Sequence, residues 1–517
     1  MKPPVLACAV LLTTALATAQ QRIEISPDGL DTARVNLEAG IGSASVLSDS
    51  VPFGNAPDWN CNLRMQVGGV ALGDLDNDGD SDLVVGCYRS QSFPPYPDWR
   101  NFALYNLGEQ LQTTPGWWTR DSISTTEVRI ADFNNDGHPD VYSGNGDGSF
   151  PPDGIYFGTD ADTLRSLPGW QAANATWTTG VAVCDFDRDG DFDVATSNQG
   201  VSPNAYRPVS IFVNHSGSLE QSPSWTSLAS EISSALAWGD INSDGFADLA
   251  VSKWVNFQSC VYLNDSGTVG RAPFWTGNTT QGQKGIAWGD LNGDTLPDIA
   301  IGGSIPTQAY LNTGGNFGTS PVWSSQNPYH GTQDLAWGDV DGDGDPDLAT
   351  AEFSTGQFRI YLNRSGQLDQ TPSWSYDSPN VGTALTFGDI NGDGRLDLVI
   401  GVSGQPCVSV FYNTLTTDVR NTPFPRAVRL DQNYPNPFNG GTLFSFTLDE
   451  RQAVRLEVFD LLGRLISTVA EGTYLAGDHR IAWEASSRDG RPLPSGTYFY
   501  RMTTAEGMIT GKMTYLR

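Results

Sequence analysis

Gly73-Asp-Leu-Asp-Asn-Asp-Gly-Asp-Ser-Asp-Leu-Val-Val-Gly86 places oxygen-bearing side chains at positions 1, 3, 5 and 9 of a nine-residue loop and then runs into an apolar stretch. The loop holds Asp74, Asp76, Asp78 and Asp82 around Gly79, and six relatives follow it along the chain. The second holds Asp132, Asn134, Asp136 and Asp140; the third Asp185, Asp187, Asp189 and Asp193; the fourth Asp240, Asn242, Asp244 and Asp248. The fifth holds Asp290, Asn292, Asp294 and Asp298; the sixth Asp339, Asp341, Asp343 and Asp347; the seventh Asp389, Asn391, Asp393 and Asp397. Copies begin 49 to 58 residues apart, the length of one supersecondary unit.

A hard cation such as Ca²⁺ takes about six to eight oxygens, so a tight loop must aim alternate side chains inward. Glycine at position 6 permits the reversal this needs, and only the fifth copy departs, with Thr295. An EF-hand loop starts the same way but needs a carboxylate at position 12 and flanking helices. Here position 12 is Val85, Ser143, Thr196, Val251, Ile301, Thr350 or Ile400, and each loop enters a β-like run such as Asp298-Ile-Ala-Ile-Gly302. A metal-free acidic turn would explain one cassette but not seven in register. The pattern predicts up to seven Ca²⁺, with the fifth site the weakest.

Before each cassette comes a short apolar strand ending in a small residue, as in Leu236-Ala-Trp-Gly239 and Leu335-Ala-Trp-Gly338. After the second strand comes a third that closes on Asn, as in Cys260-Val-Tyr-Leu-Asn264. A Pro-x-Trp element follows, with Trp59, Trp117, Trp170, Trp225, Trp275, Trp323 and Trp374 each 15 or 16 residues ahead of the next cassette. These Trps, with Trp238, Trp288 and Trp337, read as packing between repeats. Four short antiparallel strands per unit predict an all-β chain containing a seven-bladed β-propeller, with a β-solenoid as the runner-up. The last unit lacks its Trp, whereas Pro57-Asp-Trp59 precedes the first cassette. The stretch from Ala56 to Cys61 is therefore predicted to supply the outer strand of the last blade and close the ring.

The cassettes and following strands resemble the FG-GAP/VCBS-type repeats of integrin-like propellers, over residues 43–415. The resemblance implies calcium in the loop joining the first two strands of each blade, and ligands on the opposite face. The acidity fits metal sites: the net charge is −30, and 27 of the 59 acidic residues lie inside the cassettes. The same charge disfavours a nucleic-acid partner, because phosphate binding needs a basic surface.

Residues 1–19, with Lys2, an apolar run from Val5 to Leu16 and Ala17-Thr-Ala19, predict a secretory signal, since the run is too short to span a membrane. Residues 20–42 form a lead segment and 416–429 a linker. Cleavage leaves Cys61, Cys87, Cys184, Cys260 and Cys407. Cys184 reads as a buried thiol on an innermost strand. Closure of the ring would bring Cys61 near Cys407, and Cys61 with Cys87 is the competing pair, so the pairing stays open.

Residues 430–517 lack cassettes and carry alternating strands at Leu443 to Leu448, Val454 to Phe459, Arg480 to Trp483, Thr497 to Met502 and Ile509 to Leu516, a small Ig-like β-sandwich. Asn433-Tyr-Pro-Asn-Pro-Phe-Asn439, Val454-Arg-Leu-Glu-Val-Phe-Asp460, Ser495-Gly-Thr-Tyr498 and Gly511-Lys-Met513 are similar to the C-terminal sorting domain of type IX secretion, with Gly440 where a Pro is frequent. That resemblance implies a secretion-machinery partner, passage across the outer membrane of a Gram-negative-type bacterium and display on its surface.

The loops joining strands two and three carry aromatics in the first four repeats: Tyr88, Phe93, Tyr96, Trp99, Phe150, Tyr206, Trp254 and Phe257. Exposed rings among polar groups suit sugar faces or protein hot spots, so Tyr88, Tyr96, Trp99, Tyr206, Trp254 and Phe257 are the candidate ligand residues. The opposing reading folds these rings back beneath their own loops. No nucleophile–base pair or zinc spacing surrounds the four histidines, His138, His215, His330 and His479, so no catalytic residue is assigned. The function expected is a secreted, monomeric calcium-binding propeller for adhesion to a glycan or protein. One alternative is a calcium-dependent, lyase-like polysaccharide-degrading enzyme using Arg89, Arg100 or Lys253; another is a structural spacer.

Overall fold

The computed structural model describes residues 51–415, except 90–97, 109, 147–150, 160, 162, 175, 200–206, 230, 255–256, 279, 327–330 and 354, and much of 428–515. The signal, the lead segment and most of the linker fall outside the described residues. Those described form two compact units, divided between positions 417 and 418. Every regular element among them is a β-strand, as the sequence predicts.

Each cassette joins the first two strands of a four-stranded antiparallel meander. Around the first cassette the strands are Met65–Gly73, Asp82–Cys87, Phe102–Leu104 and Trp117–Trp118. Around the sixth they are Thr332–Gly338, Asp347–Glu352, Gln357–Tyr361 and Trp374–Asp377. Second strands such as Asp82–Cys87 and Asp298–Gly303 are buried along their whole length, because each meander is covered on both faces by its neighbours. Their sequences accordingly read as continuous apolar runs. The first strand slips by one residue against the second in every unit, for example between Val67 and Gly69 and between Thr332 and Asp334, a repeated β-bulge.

The last meander closes on the start of the chain. Trp59–Cys61 pairs antiparallel with Val408–Phe411, Trp59 opposite Val410 and Cys61 opposite Val408. First strands pack one against the next around the region, and that of the last meander packs against Met65–Gly73. The Pro-x-Trp side chains fasten neighbouring units: Trp170 Nε1 donates to Leu219 O at 2.9 Å, Trp225 Nε1 to Val269 O at 2.8 Å and Trp374 Nε1 to Gly54 O at 3.1 Å.

All five described cysteines are free thiols, so neither candidate disulfide is formed. Cys61, Cys87 and Cys407 are buried in one apolar cluster, where Cys407 N donates to Cys61 O at 3.1 Å. Cys184 ends its strand beside the third cassette and is half-buried rather than buried, although burial still pushes its thiol up to about 11.

The terminal unit stacks a sheet of Val428–Leu430, Gly441–Leu448 and Gly477–Glu484 against one of Leu465–Tyr474, Gln452–Phe459, Gly496–Thr503 and Met508–Tyr515. The sequence reading missed Leu465–Tyr474, whose pairing with Gln452–Phe459 shifts register twice and so blurs the period-2 pattern. Two described residues of the opening motif are anchored in this sandwich: Phe438 packs 5.2 Å from Tyr515, and Asn433 Nδ2 donates to Thr442 Oγ1 at 3.0 Å.

Candidate functional site

Within a cassette the first carboxylate organises the turn. Asp74 accepts hydrogen bonds from Asp78 N and Gly79 N, both at 3.0 Å, and Asp290 accepts from Asp294 N at 3.1 Å and Thr295 N at 2.8 Å. The sixth position takes a left-handed backbone, φ 98° at Gly79 and 72° at Thr295. The fifth loop thus keeps the common geometry with a β-branched residue where glycine is favoured.

The ninth position does a second job. Asp82, Asp140, Asp193, Asp248, Asp298, Asp347 and Asp397 are fully buried. Each accepts one backbone N–H from loop position 2 and one from the residue closing the third strand: Leu291 N at 2.8 Å and Asn312 N at 2.7 Å for Asp298, Val340 N at 2.9 Å and Asn363 N at 2.7 Å for Asp347. Burial raises these carboxyls, to about 7 at Asp347 and about 6 at Asp298, despite the N–H groups. The closing Asn then reaches the preceding unit. Asn363 Nδ2 donates to Leu291 O at 2.7 Å, Asn413 Nδ2 to Val340 O at 2.8 Å and Asn106 Nδ2 to Ile390 O at 2.8 Å, the last across the closure. In the second repeat this place is Gly158, where a Cβ would lie 2.7 Å from Pro139 O.

Three cassettes gather carboxylates most tightly: Asp74, Asp76 and Asp78; Asp185, Asp187 and Asp193; Asp339, Asp341 and Asp347, each set bringing one oxygen apiece within 4.8 Å of one another. These are the copies with Asp at position 3. Where position 3 is Asn, its amide can turn to the carboxylate at position 5, as Asn242 Nδ2 does to Asp244 Oδ2 at 3.0 Å. Asp76 Oδ1 and Asp185 Oδ1 are buried acceptors with no hydrogen-bond partner among the described residues, and burial followed by repulsion from Asp78 raises the Asp76 carboxyl. Crowded carboxylates with unused oxygens fit a hard divalent cation.

On the other side of the units, Lys284 lies between two rings. Its Nζ is 4.2 Å from the centre of Trp254 and 4.9 Å from that of Phe353, and donates to Gln333 Oε1 at 2.7 Å. Trp254 comes from the fourth repeat, Lys284 from the fifth, and Phe353 and Gln333 from the sixth. Burial lowers the ammonium to about 8, a shift the two ring faces oppose. Phe353 stays 36% exposed. The sequence reading passed over Lys284 and Phe353. The signal was available, since Lys284 occupies a register position held by Gly68, Thr126, Thr179, Ser234, Gln333 and Thr383 elsewhere.

The other candidate residues are differently placed. Trp99 is covered by Arg89, 4.9 Å from its ring, and donates to Ser122 O at 2.8 Å, so this ring folds onto its own repeat. Arg100 pairs with Asp98 at 2.6 Å and stacks 4.7 Å from Trp118, and Lys253 is buried in an ion pair with Glu231. Tyr88 and Phe257 are half-buried in their loops. Phe93, Tyr96, Phe150, Tyr206 and His330 lie outside the described residues.

Residues 74–143, 132–196, 290–350 and 339–400 match the model of an FG-GAP-like repeat, and 431–507 match that of the FlgD Ig-like domain. The repeat region is thus a β-propeller whose repeats are similar to FG-GAP-like ones, and the terminal unit is an Ig-like β-sandwich. No curated protein matches the chain. A similar solved structure is PorZ, described as an essential bacterial surface component of the type-IX secretion system of Porphyromonas gingivalis; it has 14% identity and a TM-score of 0.41 over 90% of this chain. The chain spans 60% of the PorZ chain. Among the described residues no helix is long and apolar enough to cross a membrane.

Proposed function

We propose that this protein is an exported, surface-displayed binding module, a seven-bladed propeller that holds up to seven Ca²⁺ in its cassettes and offers its other face to a glycan or protein. Residues 430–517 act in this reading as the sorting domain that the type IX secretion machinery recognises, and the burial of Asn433 and Phe438 from its opening motif suits a segment read only in the folded state. The observation that carries the binding role is the Trp254, Lys284 and Phe353 cluster, two ring faces from different repeats with a cation held between them. Stacking surfaces beside a hydrogen-bonding cation suit a sugar ring carrying polar or acidic groups. Calcium's part is to neutralise the cassettes and fix the frame on which those loops stand. The test is glycan and protein arrays probed with the full chain in calcium and in chelator, beside a Trp254→Ala/Phe353→Ala variant. Calcium-dependent binding lost in the variant supports the reading; no ligand on either array would leave a structural spacer in its place.

One observation favours a second reading, an enzyme of the lyase type. Lys284, lowered to about 8, is a better proton acceptor near neutral pH than Lys253, which, against its burial, the neighbouring Cys260 and the ion pair with Glu231 keep raised. New unsaturated ends from a polysaccharide panel, abolished in Lys284→Met, would establish that reading.

A further inference from the structure

The innermost strands put small residues against the axis at two equivalent positions. Just after the bulge these are Gly69, Gly180, Ala235, Gly285 and Ala384, but Glu127 in the second repeat and Asp334 in the sixth. Two residues further on they are Ala71, Ala182, Ala237, Ala287, Ala336 and Thr386, but Arg129 in the second repeat. The three exceptions line one cavity of about 520 Å³, walled by Val181, Leu236, Trp238, Ile286 and Trp288.

Its charges do not balance. Arg129 Nη1 is paired with Glu127 Oε1 at 2.5 Å. Among the described residues Asp334 accepts hydrogen bonds from two backbone N–H groups, Leu385 N at 2.9 Å to Oδ2 and Leu335 N at 2.9 Å to Oδ1, while Arg129, already paired with Glu127, attracts it without a hydrogen bond. Burial raises both carboxyls, Glu127 to about 7, and Asp334 adds repulsion at Glu127. The indole N–H of Trp238, in the same wall, is buried without a partner, whereas Trp288 Nε1 donates to Ala237 O at 3.0 Å. One carboxylate is therefore in excess where most other repeats place glycine or alanine, and its part-burial makes a cationic partner favourable there.

We propose that this axial cavity binds a small organic cation, an ammonium group on an apolar body, with its charge on the Asp334 carboxylate and its body against Trp238, Trp288, Leu236 and Ile286. The volume falls in the range of small-molecule sites, about 300–1,000 Å³. The site is separate from the cassettes and from the Trp254 face, so it stands whether or not the surface ligand is a glycan.

The test compares three molecules of one shape, phenethylamine, 2-phenylethanol and phenylacetate, titrated calorimetrically into the full chain at pH 8 with calcium present. Phenethylamine is expected to bind at least about tenfold more tightly than either isostere. Asp334→Asn is expected to remove about tenfold of that affinity, and Glu127→Gln to weaken it too by freeing Arg129 to pair with Asp334. Equal binding of all three, preference for phenylacetate, an unchanged Asp334→Asn affinity, or no heat at millimolar amine would overturn the proposal. The isostere series needs no variant, so a failure of Asp334→Asn to fold leaves the test intact.

Discussion

Asn363→Ala tests whether the repeats are locked by their closing asparagines. Asn363 is fully buried and makes three side-chain hydrogen bonds: Nδ2 to Leu291 O at 2.7 Å in the preceding unit, Nδ2 to Pro346 O at 3.1 Å, and Oδ1 from Gly366 N at 2.9 Å. Its backbone N–H to Asp347 survives the substitution. At about 0.5–1.5 kcal/mol net per bond the loss is about 1.5–4.5 kcal/mol, a large part of the ~5–15 kcal/mol that holds a domain together. Urea unfolding followed by tryptophan fluorescence reads this unit, because 14 of the 15 tryptophans precede residue 417. The loss should appear with calcium and with chelator alike, since the bonds involve no metal oxygen. Asn363→Asp should cost at least as much, turning two donors into acceptors that face carbonyls. A loss under about 0.5 kcal/mol, typical of an unconstrained surface site, would refute the interlock.

Chelation should lower the urea midpoint if the cassettes hold metal, by about 1.4 kcal/mol per site at tenfold excess over the dissociation constant. Asp76→Asn, Asp187→Asn and Asp341→Asn should each blunt that calcium response, and a midpoint indifferent to chelator would sink the metal reading. Thr295→Gly should stabilise the chain by up to about 1 kcal/mol by relieving a left-handed β-branched residue, provided the 72° backbone is kept; a lower melting temperature would contradict this. For Lys284 the folded ammonium, at about 8, lies below its ordinary 10.5. The folded chain then holds fewer protons than the unfolded one between those values, and this lysine makes stability rise with pH across that window. Lys284→Met should flatten the slope, and an identical slope in the variant would show that the ring faces restore an ordinary lysine.

The cassette spacing declared the repeat, because the turn is fixed by hydrogen bonds within a few residues, such as those from Asp78 N and Gly79 N to Asp74, and that geometry is local. Strand order followed from it, and so did the missing outer strand, since each Trp stands at a fixed distance from the next cassette and the surplus one lay before the first. The C-terminal sandwich was legible for the same reason, except for Leu465–Tyr474, where two register shifts hide the alternation. The double duty of the ninth carboxylate was not legible: its partners, such as Asn312 N for Asp298, lie on the third strand and meet it only when the meander folds. The thiols were beyond sequence as well; Cys61 and Cys407 come within one hydrogen bond of each other without joining. Sequence alone thus determined the loops, the repeat and its number of copies, all set by contacts within a few residues. Only tertiary structure decided that Lys284 stands between rings from two other repeats and that Glu127, Arg129 and Asp334 share one axis, because closing a ring brings together residues whose separation along the chain carries no signal.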